Sequence, residues 1–239
     1  MRIVAFNGSP RGPRSNTDRL LLPFLEGAQE AGATTEVVYL KEQRIEYCQG
    51  CFNCWVVTPG VCIHDDDMAA LLDKILAADV IVYATPLYVF TMSAQMKTFL
   101  DRHIPLAAPF IVKRGDQYIH PMRYPEAWPK KVVLISNCGF PERHHFSGLL
   151  ETFRVYTSSP DLELAGAILC TAGELLGQKS ASKWVNWYIE ATRQAGREVV
   201  EVGHITLETQ QVLEKPLVKA ALYSRMANMY FKRTIKKQH

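Results

Sequence analysis

Short apolar runs alternate along the chain with segments of helical periodicity. The run Ile3–Phe6 ends at the turn-forming Asn7-Gly8-Ser9-Pro10, and an apolar run bounded by turn residues predicts a strand. By the same signals we predict four further strands, at Glu36–Leu40, Asp79–Ala84, Lys131–Ser136 and Leu164–Cys170. The strand at Asp79–Ala84 is almost continuously apolar, which is typical of a strand covered on both faces.

Helical spacing of apolar residues fills the segments between these strands. In the first segment Leu21, Leu25 and Ala28 recur at this spacing, with Asn16 or Thr17 as the N-cap. The other predicted helices are Met68–Ala78 after an Asp66 or Asp67 cap, Ser93–Ile104, Phe146–Tyr156, Ala181–Ala195, Leu207–Leu213 and Val218–Lys232. Two segments show neither period and are predicted to be irregular: a functional loop over 41–65 and a proline-rich insertion over 105–130.

This alternation predicts an α/β fold with a parallel sheet and helices on both faces, because helix-length crossovers join parallel strands. Five strands fit the doubly wound order 2-1-3-4-5, in which a ligand lies at the carboxyl ends of the strands beside strand 1. We therefore expect the loops after strands 1, 3 and 4 to form the site. Residues 1–203 are predicted to form this unit, and residues 204–239 a C-terminal helical extension with a basic tail.

Composition narrows the class of protein. The 239 residues are 48% hydrophobic and 21% charged, as in an ordinary globular protein, and the net charge of +3 gives no argument for nucleic-acid binding. No run of about 18 apolar residues predicts a membrane span, and the N-terminus shows no secretory signal. We therefore expect a cytoplasmic protein without a transmembrane segment.

The loop after the first strand carries the features of a phosphate site. It reads Gly8-Ser9-Pro10-Arg11-Gly12-Pro13-Arg14-Ser15-Asn16-Thr17 and leads into a helix. Free backbone N–H groups and the positive end of the helix dipole favour a phosphate there. Arg11 or Arg14 would add charge-assisted hydrogen bonds. The loop matches neither the Walker pattern nor the dinucleotide-binding pattern.

Two stretches of the chain resemble the NAD(P)H-dependent FMN reductases of the flavodoxin-like superfamily. One is Gly8-Ser9-Pro10-Arg11 followed by Ser15-Asn16-Thr17. The other is Thr85-Pro86-Leu87-Tyr88, followed by Met92-Ser93-Ala94-Gln95-Met96-Lys97 and Phe99-Leu100-Asp101-Arg102. The resemblance spans roughly residues 2–195 and implies a flavodoxin-like fold that binds FMN.

The resemblance also implies which residues hold the flavin. The phosphate would lie on Ser9, Arg11, Ser15, Asn16 and Thr17, and the ring would run along Pro86, Leu87, Tyr88 and Val89, with Gly139 at its other edge. Backbone N–H groups and apolar side chains suit a flavin ring. Flavin sites of this family often lie near a subunit interface, so we expect a homo-oligomer, a dimer or tetramer.

Four of the six cysteines form a compact motif, Cys48-x2-Cys51-x2-Cys54-x7-Cys62. The first three have the spacing of bacterial ferredoxins, and four such thiolates can hold a [4Fe–4S] cluster. The motif also resembles that of the iron–sulfur flavoproteins, which pair FMN with such a cluster. Unliganded thiols are the second interpretation, and a tetrathiolate zinc is the third, because the spacing is less like a pair of zinc knuckles.

Two functions follow as hypotheses. In the first, the protein is an enzyme whose FMN takes hydride from NADH or NADPH and reduces a quinone, a flavin or a similar small-molecule acceptor. In the second, it is an iron–sulfur flavoprotein that moves electrons between a ferredoxin-like partner and FMN without nicotinamide chemistry. No residue is assigned as catalytic, because hydride transfer from nicotinamide to flavin needs no protein base.

Overall fold

A five-stranded parallel sheet forms the centre of the fold. The computed structural model describes residues 1–128 and 130–237. The strands of the sheet are β1 (Arg2–Asn7), β2 (Thr34–Tyr39), β3 (Val80–Pro86), β6 (Lys130–Asn137) and β7 (Leu162–Cys170), and two short strands, β4 (Val112–Arg114) and β5 (Gln117–Ile119), pair separately. The order β2-β1-β3-β6-β7 confirms the predicted order 2-1-3-4-5.

Helices cover both faces of this sheet. They are α1 (Asp18–Glu30), α2 (Asn53–Val56), α3 (Met68–Ala77), α4 (Ala94–Asp101), α5 (Ser147–Tyr156), α6 (Ser182–Glu201), α7 (Leu207–Leu213) and α8 (Ala220–Lys236). Alternate residues of each buried strand point to opposite faces. In β1, for example, Ile3 and Ala5 pack beneath α1 and α6, whereas Val4 and Phe6 pack beneath α3 and α4.

Two glycines allow the helices on one face to approach closely. A Cβ atom on Gly27 of α1 would lie 1.9 Å from the backbone oxygen of Arg193, and one on Gly196 of α6 would lie 1.9 Å from that of Phe24. Neither position has room for a larger side chain. This contact fixes α1 against α6 and so restrains the loop that precedes α1.

Several sequence predictions need correction. The segment 41–65 contains the short helix α2, and the proline-rich insertion contains the β4–β5 hairpin, whose turn includes Gly115 at a φ of +58°. Helix α4 ends before Ile104, which lies in a 3₁₀ turn with Pro105. Helix α6 continues past Ala195 because Val199 also reaches the core. Pro129 of the predicted insertion and residues 238–239 of the predicted tail lie outside the described residues.

The chain after Gly203 packs on the same core as the sheet. Ile205 donates a backbone hydrogen bond to the oxygen of Ala165 at 2.8 Å, and Gln210 donates to that of Ala167 at 3.1 Å. Leu213 and Tyr223 are buried within the core beneath α1 and α6. Among the described residues no helix has the length and apolar character needed to cross a bilayer.

Candidate functional site

The loop between β1 and α1 is held by two polar side chains at its ends. Asn7 Oδ1 accepts the N–H of Ser9 at 2.9 Å, and Asn7 Nδ2 donates to Asp18 Oδ1 at 3.3 Å. Asp18 also accepts from Tyr39 Oη at 2.9 Å and from the N–H of Arg14 at 3.3 Å. Burial and this carboxylate raise the pKa of Tyr39 to about 12, so the tyrosine remains a donor. The loop is thereby held in one shape.

Donors for an anion collect where this loop meets α1. The hydroxyl of Ser9 accepts the N–H of Arg11 at 3.3 Å, and that of Ser15 accepts the N–H of Asp18 at 3.0 Å. Each hydroxyl therefore keeps its own proton to donate. The backbone N–H groups of Asn16 and Thr17 make no hydrogen bond to an acceptor in the described part of the chain. A phosphate satisfies such groups at a helix N-terminus.

The segment after β3 forms a tight turn beside the loop. Tyr88 and Thr91 exchange backbone hydrogen bonds at 2.9 and 3.1 Å, and the two residues between them, Val89 and Phe90, have φ values of +45° and +65°. Such values in a β-branched residue and a bulky residue are strained, and strain of this kind clusters at functional sites. The N–H of Leu87 donates to the oxygen of Asn137 at 2.9 Å, which ties the turn to β6.

These segments surround one solvent-open cleft of about 390 Å³ at the carboxyl ends of β1, β3 and β6. Nine of the ten residues predicted to bind FMN line it: Ser9, Arg11, Ser15, Asn16, Thr17, Pro86, Leu87, Tyr88 and Gly139. The tenth, Val89, is 89% exposed and does not line the cleft. Of the two loop arginines only Arg11 lines it.

Three residues that the sequence interpretation did not assign also line the cleft, Asn137, Cys138 and Glu174. Asn137 and Cys138 directly precede Gly139 at the end of β6, so the expectation that the loop after the fourth strand of the sheet forms part of the site could have found them. Glu174 lies in the segment after β7, and the sequence analysis did not expect that segment to form part of the site. Burial raises the pKa of the Cys138 thiol to about 11, so this thiol is a neutral wall of the cleft rather than a nucleophile.

A second pocket, of about 310 Å³, gathers all four clustered cysteines. Cys48, Cys51, Cys54 and Cys62 line it together with apolar and polar neighbours, Gln49, Phe52, Ile63, His64 and Ile104. Helix α2 carries Cys54 inward, and Trp55 Nε1 donates to the oxygen of Ile104 at 2.9 Å, which closes α2 against the chain after α4. All six cysteines of the chain are free thiols.

A buried ion pair closes the base of the cysteine segment. Arg102 Nη1 lies 2.6 Å from Asp66 Oδ2, and the two side chains are 1% and 0% exposed. The same nitrogen donates to the oxygen of Glu46 at 2.7 Å, and Asp66 Oδ2 accepts the N–H of Glu46 at 2.8 Å. Residues 46 and 66 flank the four cysteines, so this pair holds the two ends of the cysteine segment together.

The four thiols share the second pocket. No group of three His, Cys, Asp or Glu side chains within residues 1–128 and 130–237 is arranged to hold a single metal ion. Burial and the neighbouring Cys62, Cys51 and Cys48 raise the pKa of Cys54, so ionised thiols here repel one another unless a cationic group joins them.

Comparison with known proteins identifies the family. The family model of the NADPH-dependent FMN reductases matches residues 1–159. The chain belongs to this family. The resemblance seen in the two sequence stretches is therefore confirmed, and the predicted oxidoreductase class, the FMN cofactor and the nicotinamide co-substrate agree with the family match.

Relatives of this FMN reductase family member carry two kinds of name. An iron–sulfur flavoprotein of Archaeoglobus fulgidus is 35% identical over 105 residues, which are 44% of this chain and 46% of the relative. The chain thus spans about half the length of the iron–sulfur flavoproteins it matches. An FMN-dependent NADH:quinone oxidoreductase of Pseudomonas putida is 27% identical over 186 residues, which are 70% of this chain and 86% of the relative.

A solved structure supports the fold. The NAD(P)H:quinone oxidoreductase from Methanothermobacter marburgensis superimposes with a TM-score of 0.58 at 22% identity, over 83% of this chain and 96% of that one. The flavodoxin-like fold predicted for the FMN reductase family member is thereby confirmed.

Proposed function

We propose that the protein is an FMN-dependent oxidoreductase that takes hydride from NADH or NADPH and reduces a quinone, a free flavin or a similar acceptor. The cleft at the carboxyl ends of β1, β3 and β6 carries the proposal, because nine of the residues predicted to bind the phosphate and the flavin ring line it. The family match and the name of the Pseudomonas putida relative support the donor and the quinone class of acceptor.

Each wall of the cleft has a proposed role. The hydroxyls of Ser9 and Ser15 and the free N–H groups of Asn16 and Thr17 would bind the phosphate, with Arg11 adding a positive charge. Bound FMN would supply hydride chemistry.

The ring and the ribityl chain would lie against the opposite walls. Pro86, Leu87, Tyr88 and Gly139 would lie along the ring. Glu174, a carboxylate on the rim, would accept hydrogen bonds from ribityl hydroxyls. Donor and acceptor would use the open face of the ring in turn.

Flavin binding and reduction test this proposal. FMN added to flavin-free protein should bind with one site per chain, and anaerobic NADH or NADPH should bleach the flavin band at about 450 nm. A quinone added afterwards should restore the band. Protein that binds no FMN would overturn the proposal, and bound FMN that only a one-electron reductant bleaches would favour the second function below.

The cysteine pocket favours a second candidate function, an iron–sulfur flavoprotein that exchanges electrons with a ferredoxin-like partner. Its support is that four thiols, the first three of them spaced as in ferredoxins, line one pocket. The relative from Archaeoglobus fulgidus is named an iron–sulfur flavoprotein. Cys48, Cys51, Cys54 and Cys62 would hold the cluster, which would supply one-electron chemistry.

Iron and sulfide analysis of anaerobically purified protein tests the cluster. We expect about four iron atoms per chain, lost in Cys51→Ser with FMN retained. Cys170→Ser is the matched control, because Cys170 is buried in the core beneath α1 and α6, away from the cysteine pocket. Equal iron contents in the two variants would contradict the ligand assignment, and iron-free wild-type protein would leave only the reductase.

Three further expectations are part of the proposal. We place the FMN-binding unit in residues 1–203 with 204–239 as an extension, although the packing of Leu213 and Tyr223 ties the extension closely to the core. We expect a homodimer, because the exposed Val89 and Phe90 beside the cleft suit a subunit contact. We expect the cytoplasm, whose reducing conditions keep thiols free to bind iron.

A further inference from the structure

Two buried nitrogen atoms beside the cysteine pocket have no hydrogen-bond partner among the described residues. They are Arg102 Nε and His64 Nε2. Arg102 Nε always carries a proton, and His64 Nε2 is a donor in the tautomer that places the ring proton there. A buried donor without a partner is destabilising. Native structures keep such a group when a bound group satisfies it.

Arg102 directly follows α4 and lies beside Cys62, one of the cysteines that line the pocket. Its two terminal nitrogens donate three hydrogen bonds, two to Asp66 and one to the backbone oxygen of Glu46, which leaves the Nε–H and one Nη2–H without these partners. Burial lowers the pKa of Arg102, but Asp66 and Cys62 raise it above its ordinary value. The guanidinium is thus a permanent positive charge that lies against one of the four thiols.

His64 approaches from the cysteine segment itself. It lies two residues after Cys62 and lines the pocket with the four cysteines. Its Nε2 is buried although the residue as a whole is half-buried. The rest of the lining is Gln49, whose amide oxygen can accept a hydrogen bond, and the apolar Phe52, Ile63 and Ile104. Among the lining side chains the four sulfur atoms are therefore the most numerous acceptors.

We propose that Arg102 and His64 donate N–H groups to the sulfur atoms of an iron–sulfur cluster held by Cys48, Cys51, Cys54 and Cys62, and that they raise its reduction potential. This inference rests on the second candidate function. Arg102 also acts as a positioning residue, because its pairing with Asp66 closes the segment that carries the cysteines.

The physical reason is the charge that reduction adds. One electron passes from an external one-electron donor, such as a ferredoxin, to the cluster. The donor is oxidised by one electron, and no bond or proton need change. The cluster with its four thiolates is anionic and becomes more so on reduction. A nearby guanidinium and N–H donors stabilise the more negative state preferentially, so the equilibrium moves toward the reduced cluster.

A redox titration of the intact holoprotein tests the inference. The potential of the cluster is followed by electron paramagnetic resonance, with FMN content and FMN potential measured on the same samples. The test variants are His64→Leu, His64→Gln, which keeps an N–H donor, and Arg102→Lys, which keeps a charge to pair with Asp66. The controls are His204→Leu, at an exposed position, and Lys97→Gln, which removes an exposed charge from α4.

We expect His64→Leu and Arg102→Lys each to lower the equilibrium constant for cluster reduction by roughly tenfold, which is about 59 mV for one electron. His64→Gln should recover part of the shift, and neither control should move it. Exchangeable-proton couplings to the cluster should weaken in His64→Leu. If Arg102→Lys fails to fold, the comparison of His64→Leu with His64→Gln tests whether an N–H donor at position 64 raises the cluster potential.

The measured outcomes distinguish a failure of the proposed N–H donors from a failure of the iron–sulfur function. Wild-type protein that holds a cluster, with His64→Leu at the wild-type potential and with unchanged proton couplings, would overturn this inference and leave the iron–sulfur function intact. Wild-type protein without iron would overturn both. In either case the binding of FMN and its reduction by NADPH test the reductase independently.

Discussion

Asn137 Nδ2 donates a hydrogen bond to Thr17 Oγ1 at 2.9 Å, although the two residues are 120 positions apart in the chain. Both side chains are buried. Thr17 precedes α1 and Asn137 ends β6, so this bond joins the wall of the cleft proposed to bind the phosphate to the wall proposed to bind the ring. Since the oxygen of Asn137 also accepts the N–H of Leu87, one residue positions all three segments of the cleft.

Thr17→Val should therefore weaken flavin binding beyond the loss of one contact. Valine has the shape of threonine but leaves a proton of the Asn137 amide without its acceptor in a buried place, at a cost of about 1–3 kcal/mol. We expect FMN affinity to fall about tenfold or more by fluorescence titration, and the free energy of unfolding to fall by about 1 kcal/mol or more. Thr152→Val, at an exposed position of α5, is the control. Equal FMN affinity in the two variants would contradict the role of this bond.

The two arginines of the first loop should differ in their effect on FMN. Arg11 lines the cleft, whereas Arg14 does not and holds a φ of +73°. Loss of a charge-assisted bond to phosphate costs about 1.5–3 kcal/mol, so Arg11→Ala should weaken FMN binding by roughly tenfold to a hundredfold. Arg14→Ala should change affinity little. Isothermal titration at low and high salt measures both, and equal losses would show that the loop attracts FMN only through its net charge.

The sequence was sufficient to predict the sheet and its order because each strand is a short apolar run between turn residues. The strand β3, for example, is buried along its whole length and reads as a continuous apolar run. The sequence was insufficient for elements whose stability is not local. Four-residue helix α2 has no periodicity to detect, and it is held by long-range bonds such as that from Trp55 to Ile104.

The same division holds for the site. The part of the cleft formed by the loop after β1 could be predicted because its polar residues lie close together in the chain and precede a helix. Glu174 and the Arg102–Asp66 pair could not, because their relation to the site depends on contacts between distant segments. Arg102 belongs to the stretch Phe99–Arg102, which resembles the family. Nothing in that stretch indicates that Arg102 pairs with Asp66, which follows the last of the four clustered cysteines.

Removing the strain in the turn at Val89 and Phe90 should increase the stability of the protein and decrease its activity. Two positive φ values in a two-residue turn suit Asn-Gly, whereas the chain has Val89-Phe90. The double substitution Val89→Asn and Phe90→Gly should raise the free energy of unfolding by about 1 kcal/mol or more, because strain of about 1–3 kcal/mol per residue is removed. If the turn serves the flavin site, quinone reduction should fall in the same variant. A gain in both stability and turnover would show that the strain has no functional role.

His103 should make the free energy of unfolding depend on pH in the acidic range. It is buried, its Nδ1 lies 3.2 Å from Tyr156 Oη, and burial lowers its pKa from 6.5 to about 3. Between these two values the unfolded chain binds a proton that the folded protein does not. The free energy of unfolding therefore falls as the pH falls, by up to about 1.4 kcal/mol per pH unit from this group.

His103→Gln removes this titration while offering Tyr156 a polar neighbour of similar size. Urea unfolding at several pH values between 7 and 4 should therefore show a shallower loss of stability in His103→Gln than in the wild type. His204→Gln, at an exposed position, should keep the wild-type slope. The same slope in all three proteins would mean that His103 is protonated in the folded state, which a buried imidazole can tolerate only if the core beneath β3 opens to water. Hydrogen exchange of the β3 amides would then show that opening directly, because their protection would fall in the same pH range.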